Sequence, residues 1–151
     1  MRQVAYIYLA EVSTAEVQEV FRIMEPWGFQ ITHIGKHDPP SKRRVDREQA
    51  TEVVERCDGS GTNTTFVADA RSEIELTFEL RDDPRWGFST ISISFPETIP
   101  ARSLGEEVFR RLKPYAFICG EEGSGKEQQW KVVLTSEECP RKIRAMLAGE
   151  K

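Results

Sequence analysis

A strict alternation of polar and apolar residues runs through segments 73–80 and 90–95, and it constrains the fold more than any other feature of the chain. Successive side chains of a β-strand point to opposite faces, so each segment predicts a strand with one apolar and one polar face. Turn-forming residues fill 82–87 between them, and we therefore predict an antiparallel hairpin. Its polar face carries Glu73, Glu75, Thr77, Glu79, Thr90, Ser92 and Ser94, and its apolar face carries Ile74, Leu76, Phe78, Leu80, Ile91, Ile93 and Phe95.

A second feature is a repeat of eleven residues, which begins at Glu19 and again at Glu107 with six identical positions. Each copy lies downstream of a Ser-x-x-Glu sequence that starts at Ser13 or Ser103 and is typical of a capped helix N-terminus. Each copy also contains a proline followed by aromatic residues. The repeat predicts two amphipathic helices, each ended by proline and followed by a strand. Duplication of a unit and a shared way of ending a helix explain the match equally well.

The remaining segments complete a β-α-β-α-β-β-β-α-β-β-α order. Interleaved helices and hairpins predict an α+β fold, with a mainly antiparallel sheet and helices packed on one face. At 151 residues we expect a single domain covering 1–151. A duplication would make segments 1–70 and 71–151 two fused ferredoxin-like halves that share the sheet. The further strands are predicted at 4–10, 29–34, 64–68, 115–119 and 130–134, and the further helices begin near Asp46 and Ser136.

Residues 36–47 break this pattern. Two adjacent prolines disfavour regular structure there, and the basic cluster Lys42, Arg43 and Arg44 gives the segment an excess of positive charge. We predict an exposed loop.

Composition limits the partners and cellular compartments that we expect for the protein. The net charge is −4, which argues against a dedicated nucleic-acid-binding protein. No apolar run approaches the roughly 18–20 residues of a membrane span. The three cysteines are odd in number and widely spaced, which predicts a reduced, cytoplasmic protein.

Three motifs resemble ligand sites without meeting their requirements. Segment 120–126 matches the glycine–lysine spacing of a phosphate-binding loop, but Glu127 replaces the hydroxyl residue and a strand is predicted to follow. His33 and His37 lack the second ligand cluster that zinc requires. Segment 58–69 begins like a calcium loop but lacks its central glycine and closing glutamate. We therefore predict no metal and no cofactor.

The sequence also contains no recognisable pattern for nucleophilic catalysis. Packing or a helix start explains each of Cys57, Cys119 and Cys139. Cys139 falls in the first turn of the predicted last helix, where the helix dipole favours a lower thiol pKa. No carboxylate is singled out by a motif for general acid–base work, and we predict a protein that is not an enzyme.

Two surfaces remain as binding candidates. One is the polar face of the hairpin, in which short hydroxyl residues lie beside a row of glutamates; the turn residue Trp86 is a candidate anchor beside it. The other is the basic cluster of segment 36–47, which suits phosphate or an acidic partner. An ordinary solvated surface explains each feature more simply. The candidate partner-binding residues are Glu73, Glu75, Thr77, Glu79, Trp86, Ser92, Ser94, Lys42, Arg43 and Arg44.

The leading functional hypothesis is a non-enzymatic protein-binding domain, in its most specific form an immunity or inhibitor protein that neutralises a basic toxin through an acidic surface. This form rests on analogy with small acidic inhibitors. One alternative is a ferredoxin-like domain that binds a small molecule in a cleft. The other is an enzyme whose carboxylates form no sequence motif.

Overall fold

A computed structural model of the chain describes residues 2–37, 40–56, 60–69, 71, 73–81, 88–121 and 130–147. For residues 36, 37, 40, 41, 53–56, 60–67 and 79–81 the backbone alone is described. The strands are β1 (Arg2–Leu9), β2 (His33–His37), β3 (Pro40–Arg44), β4 (Ser60–Asp69), β5 (Ile74–Arg81), β6 (Ser89–Pro96), β7 (Ala116–Glu121) and β8 (Trp130–Thr135). The α-helices are α1 (Thr14–Met24), α2 (Arg47–Arg56), α3 (Ala101–Leu112) and α4 (Arg141–Leu147), and a 3-10 turn (Glu25–Trp27) follows α1.

The strands form one antiparallel sheet in the order β3-β2-β4-β5-β6-β1-β7-β8. The predicted α+β class with an antiparallel sheet is confirmed. β1 lies between β6 and β7, among strands that come much later in the chain. The order does not confirm a fusion of two ferredoxin-like halves, because the strands of segments 1–70 and 71–151 do not form two contiguous sets.

The predicted hairpin of β5 and β6 is confirmed. Phe78 pairs with Ile91 and Leu76 pairs with Ile93, and all four side chains are fully buried. The prediction was wrong for Glu73, which precedes β5 in a turn with a φ of 59°. The alternation extends to this residue in the sequence, but the strand begins at Ile74.

The exposed loop predicted for residues 36–47 is also wrong. Residues 40–44 form β3, which pairs antiparallel with β2 at the edge of the sheet. After Pro40, this edge strand contains only the polar residues Ser41, Lys42, Arg43 and Arg44. It therefore has no alternating apolar pattern that would indicate a strand. Pro40 is the first residue of β3, which is a position that tolerates the missing N–H group.

Three helices cover one face of the sheet. α1 contacts both α2 and α3, and their apolar side chains join those of the strands in one core. The burial of these side chains supplies the main driving force for folding. The largest members include Phe21, Met24, Ile34, Ile74, Leu76, Phe78, Ile91, Ile93, Phe95 and Phe117.

The fourth helix corrects the prediction that all helices lie on one face. Ile143 and Leu147 of α4 pack with Tyr8 and Ile118 in a separate cluster. Tyr8 and Ile118 alternate along β1 and β7 with residues of the main core, so they point to the opposite face. α4 therefore covers the second face at β1 and β7.

The two copies of the repeat end their helices differently. After α1, the 3-10 turn contains Pro26, and Gly28 follows in the left-handed region with a φ of 89°. After α3, Lys113 adopts the left-handed conformation with a φ of 49°. The capping prediction is confirmed at Ser13, whose backbone N–H donates to the Glu16 carboxylate at 2.9 Å.

The corresponding capping prediction at Ser103 is wrong. α3 begins at Ala101 with Pro100 as its N-cap residue, so Ser103 lies inside the first turn. The fixed φ of proline preorganises the start of a helix, which allows α3 to begin before the serine.

The helices of the repeat are joined by ion pairs. Glu19 accepts from Arg22 at 2.6 Å, and Glu107 accepts from Arg110 at 2.5 Å, at equivalent positions of the two copies. Arg111 connects the copies, because it contacts Glu107 at 2.6 Å and Glu19 at 3.2 Å. Hydrogen bonds from Arg110 and then Arg111 lower the pKa of Glu107 to about 2.

α3 approaches β7 and β8 closely at Gly105. A Cβ atom built on this residue would lie 2.8 Å from the Phe117 ring and 2.9 Å from Leu134. The missing side chain lets the helix backbone pack directly on the sheet. Among the described residues, none of the helices combines the length and apolar content needed to cross a membrane.

Candidate functional site

The face of the sheet opposite α1, α2 and α3 carries two rows of residues. Directly paired residues of neighbouring antiparallel strands share a face, so the strand register defines each row. We call the part of this face from β3 to β6 the open face. One row contains Arg44, His33, Ala68, Glu75 and Ser94, and the other contains Lys42, Gly35, Phe66, Thr77 and Ser92.

No helix of the described part of the chain packs its apolar residues on the open face. The rows continue into β1 at Val4 and Tyr6, and α4 covers the sheet beyond them. Tyr6 makes an edge-to-face contact with Trp130, with ring centroids 5.7 Å apart. The side chains of Glu75, Thr77, Ser92 and Ser94 are partly exposed. The open face therefore presents polar side chains that the core does not use.

The structure brings together four of the residues predicted for the polar face, namely Glu75, Thr77, Ser92 and Ser94. Glu79 pairs with Thr90 in the same register, but its side chain is outside the described part of the chain. Trp86 also lies outside the described residues, so its predicted role as an anchor stays a prediction.

Arg2 is a member of this surface that the sequence analysis missed. Its guanidinium donates to Ser94 Oγ from Nε at 3.1 Å and from Nη2 at 3.0 Å. It also donates to the Glu73 carbonyl, and it lies 3.8 Å from the Glu73 carboxylate. No local pattern indicates this contact, because it depends on the pairing of β1 with β6. This cation offsets the charge of Glu73, so the surface is mixed in charge and not simply acidic.

The basic cluster is divided between the two faces. Lys42 and Arg44 belong to the open face, whereas Arg43 pairs with the core residue Ile34 and points to the helix-covered side. All three side chains are exposed. Within the part of the chain that the structure describes, they make no side-chain hydrogen bond or ion pair.

His33 is the histidine whose side chain the structure describes on the open face. His33 lies beside Arg44 in the register, with Nδ1 2.8 Å from the Thr32 hydroxyl oxygen. Among the described residues, no group of three or more His, Cys, Asp and Glu is arranged to hold a metal ion. Cys57 and the side chain of His37 are outside the described residues.

Burial is the main influence on the thiol pKa of both described cysteines. It raises the pKa of Cys119 to about 11 and raises the pKa of Cys139 above its usual value. The lower pKa favoured for Cys139 by the sequence is therefore wrong. α4 begins at Arg141, two residues later than the cysteine, and desolvation of the thiol outweighs the positive charge of Arg144.

The segment that resembles a phosphate-binding loop is followed by strand β8, which pairs antiparallel with β7. This confirms that the segment connects two strands, although residues 122–129 themselves are outside the described part. The segment that resembles a calcium loop overlaps strand β4. Its last carboxylate, Asp69, is buried and accepts backbone N–H groups of Gln30 at 2.8 Å and Arg71 at 2.9 Å.

A cleft of about 490 Å³ lies between the end of α1 and the start of α2. Phe21, Phe29 and Ile31 form its apolar part. Arg47 forms an ion pair with Glu25, and its guanidinium carbon lies 5.7 Å from the centroid of the Phe21 ring. The sequence analysis proposed no residue of this cleft as a binding residue, because the lining comes from three separate segments.

Comparisons of the chain with protein-family models, with curated proteins and with solved structures give no match.

Proposed function

We propose that this protein is a non-enzymatic binding protein that receives a protein partner on the open face. The observation that supports the proposal is that helices cover the two faces of the sheet to different extents. Three helices cover one face, while the other face between β3 and β6 carries exposed or partly exposed polar side chains that are free of helical cover in the described part of the chain. These side chains are Lys42, Arg44, Glu75, Thr77, Ser92 and Ser94.

The chemistry of the open face suits a protein surface. Ser92, Ser94 and Thr77 offer short hydroxyl groups that both donate and accept hydrogen bonds. Glu75 lies on one side of them, and Lys42 and Arg44 lie three strands away, roughly 14 Å at about 4.8 Å per strand. Charges of both signs on one surface favour a complementary partner and disfavour wrong orientations.

The narrower form of the proposal is an inhibitor of a toxin with a basic surface, acting in the cytoplasm. Glu75 supplies the carboxylate that such a surface would meet. The two described cysteines are unpaired thiols, which is consistent with a reducing compartment. A partner that arrests growth when produced alone, with growth restored by this protein, would support this form. A harmless partner would exclude it.

Site-specific photo-crosslinking tests the general proposal. A photoreactive amino acid is placed at position 92 on the open face or, as the control, at position 106 on the exposed side of α3. In the source organism we expect one partner protein to be crosslinked from position 92 and not from position 106. Equal crosslinking from both positions, or none from position 92, would contradict the proposal.

A loss-of-binding experiment completes the test. Ser92→Arg places a long cation on the β6 strand of the open face, whereas Glu106→Arg places one on the helical side. We expect Ser92→Arg to weaken the complex by at least about tenfold, because bulk and charge disturb the core of an interface. Glu106→Arg should leave the affinity unchanged.

The cleft between α1 and α2 supports a second candidate function, the binding of a small molecule. Its volume falls within the roughly 300–1,000 Å³ of ligand sites, and it combines an apolar part with the polar residues Glu25, Gln30, Asp46 and Arg47. A thermal-shift screen of metabolites tests this candidate, since a ligand at a hundred times its Kd adds about 2.7 kcal/mol of stability. A hit should lose its effect in Arg47→Ala and keep it in Arg102→Ala.

A further inference from the structure

Strand β3 differs from the helices in that its three cations are consecutive and, in the described part of the chain, all lack a partner. Exposed helix cations that also lack a described partner, such as Arg102 and Arg141, occur singly. Arg22, Arg110 and Arg111 each contact a glutamate of the same protein. In β3, three consecutive residues carry exposed cations, and within the described part of the chain none of them has an internal partner. In the described part of the chain this charge stabilises no contact, so it is available to another molecule.

The position of β3 determines the shape that such a molecule must have. β3 is the terminal strand of the sheet and pairs only with β2. Lys42 and Arg44 lie on the open face, about 7 Å apart along the strand because each residue adds about 3.4 Å. Alternate side chains of an extended polypeptide have the same spacing. An extended segment with acidic residues at every second position would match both cations.

We infer that β3 is the docking site for an extended acidic segment of the protein partner. The inference rests on the proposed function and adds the chemistry of the partner to it. His33, which lies directly beside Arg44 on the open face, adds a further hydrogen-bonding group for a carboxylate. The segment would thus follow the edge of the sheet while the rest of the partner lies over Thr77 and Ser92.

A nucleic acid fits the same cations less well. Glu75 shares the open face, and its carboxylate would repel a polyanion that extends from β3 across the sheet. Single-stranded nucleic acids also bind by stacking on aromatic rings, and segment 33–47 contains no Phe, Tyr or Trp.

Peptide titration of the full chain tests the inference. The probe is a synthetic peptide of about ten residues in which Glu alternates with Thr, so that one side carries carboxylates at the strand period. The comparison probes are the same peptide with Lys in place of Glu and an oligothymidylate of similar length. We expect the acidic peptide to bind in the millimolar range or tighter, and more tightly than either comparison probe.

Two double variants show whether the cations of β3 bind the acidic peptide. Lys42→Ala/Arg44→Ala should weaken binding of the acidic peptide between about two- and thirtyfold, since two exposed ion pairs at about 0.2–1 kcal/mol each sum to about 0.4–2 kcal/mol and each 1.4 kcal/mol is a factor of ten. The control Arg102→Ala/Arg141→Ala removes the same charge from exposed positions of α3 and α4. It should change the affinity by less than about twofold. Circular dichroism confirms that each variant is folded.

Three outcomes would overturn the inference: no binding of the acidic peptide, equal weakening in both double variants, or tighter binding of the oligothymidylate. Its failure is distinguishable from failure of the proposed function. If position 92 still crosslinks a partner but Lys42→Ala/Arg44→Ala leaves that complex unchanged, the open face binds a partner without β3. If position 92 crosslinks nothing, the proposed function itself fails.

Discussion

The two faces of the sheet meet different physical demands. On the helix-covered face, apolar side chains are fully buried, and neighbouring charges such as Glu19, Glu107 and Arg111 neutralise one another. On the open face, the hydroxyl and charged groups contribute little to the core, and the cations of β3 have no internal partner in the described part of the chain. The first face is therefore explained by folding, whereas the second contains features that folding does not require.

The largest expected effect compares adjacent residues of β5 that point to the two faces. Phe78 is fully buried and lies edge-on to Phe21, with ring centroids 6.2 Å apart. Phe78→Ala should lower the free energy of unfolding by about 3–5 kcal/mol because it leaves a cavity in the core. Thr77→Ala should change it by less than about 0.5 kcal/mol. Urea denaturation measures both, and a comparable loss in the two variants would remove the distinction between the faces.

An intermediate effect is expected where α3 meets the sheet. Gly105→Ala should destabilise the protein by about 1–3 kcal/mol, because the new methyl group overlaps the Phe117 ring. At an exposed helical position the same change would stabilise by about 1 kcal/mol. In a double-mutant cycle, Phe117→Leu should recover part of the loss. A stabilising Gly105→Ala would show that α3 and β7 have room between them.

The smallest effect concerns the ion pairs between the repeated helices. The pKa of Glu107 is lowered from its usual 4.5 to about 2, so the pairs stabilise the fold above about pH 4.5 and lose this contribution as the pH falls towards 2. Glu107→Gln should lower Tm slightly at pH 7, and the difference from wild type should disappear as the pH approaches 2. Glu106→Gln, on the exposed side of the same helix, is the control. A Tm difference that is independent of pH would point to packing and not to charge.

The elements that could be predicted from the sequence are those whose pattern is enforced by burial. β5 and β6 each have one face in the core, so alternation specifies the strands and their polar residues Glu75, Thr77, Ser92 and Ser94. β3 has no apolar residues at alternate positions. Its residues Lys42, Arg43 and Arg44 are therefore equally compatible with a loop and with an edge strand. The basic cluster was identified, but its division between two faces depends on strand register, which composition does not encode.

Other parts of the structure depend on long-range contacts that local patterns do not contain. The periodicity of α4 indicates an apolar side but not which face of the sheet receives it. Arg2 reaches Ser94 and Glu73 only because β1 lies beside β6. The cleft next to Arg47 likewise requires α1, α2 and segment 28–31 to come together.

The place of β1 between β6 and β7 has a consequence for synthesis of the protein. Its partners extend from Ser89 to Pro96 and from Ala116 to Glu121, so this early strand leaves the ribosome long before either of them. Ala5, Ile7 and Leu9 therefore remain without a sheet while most of the chain is being translated. Pairing over such sequence separations slows folding and leaves apolar strands open to aggregation. A nascent chain that stalls before β6 would be a natural substrate for chaperones.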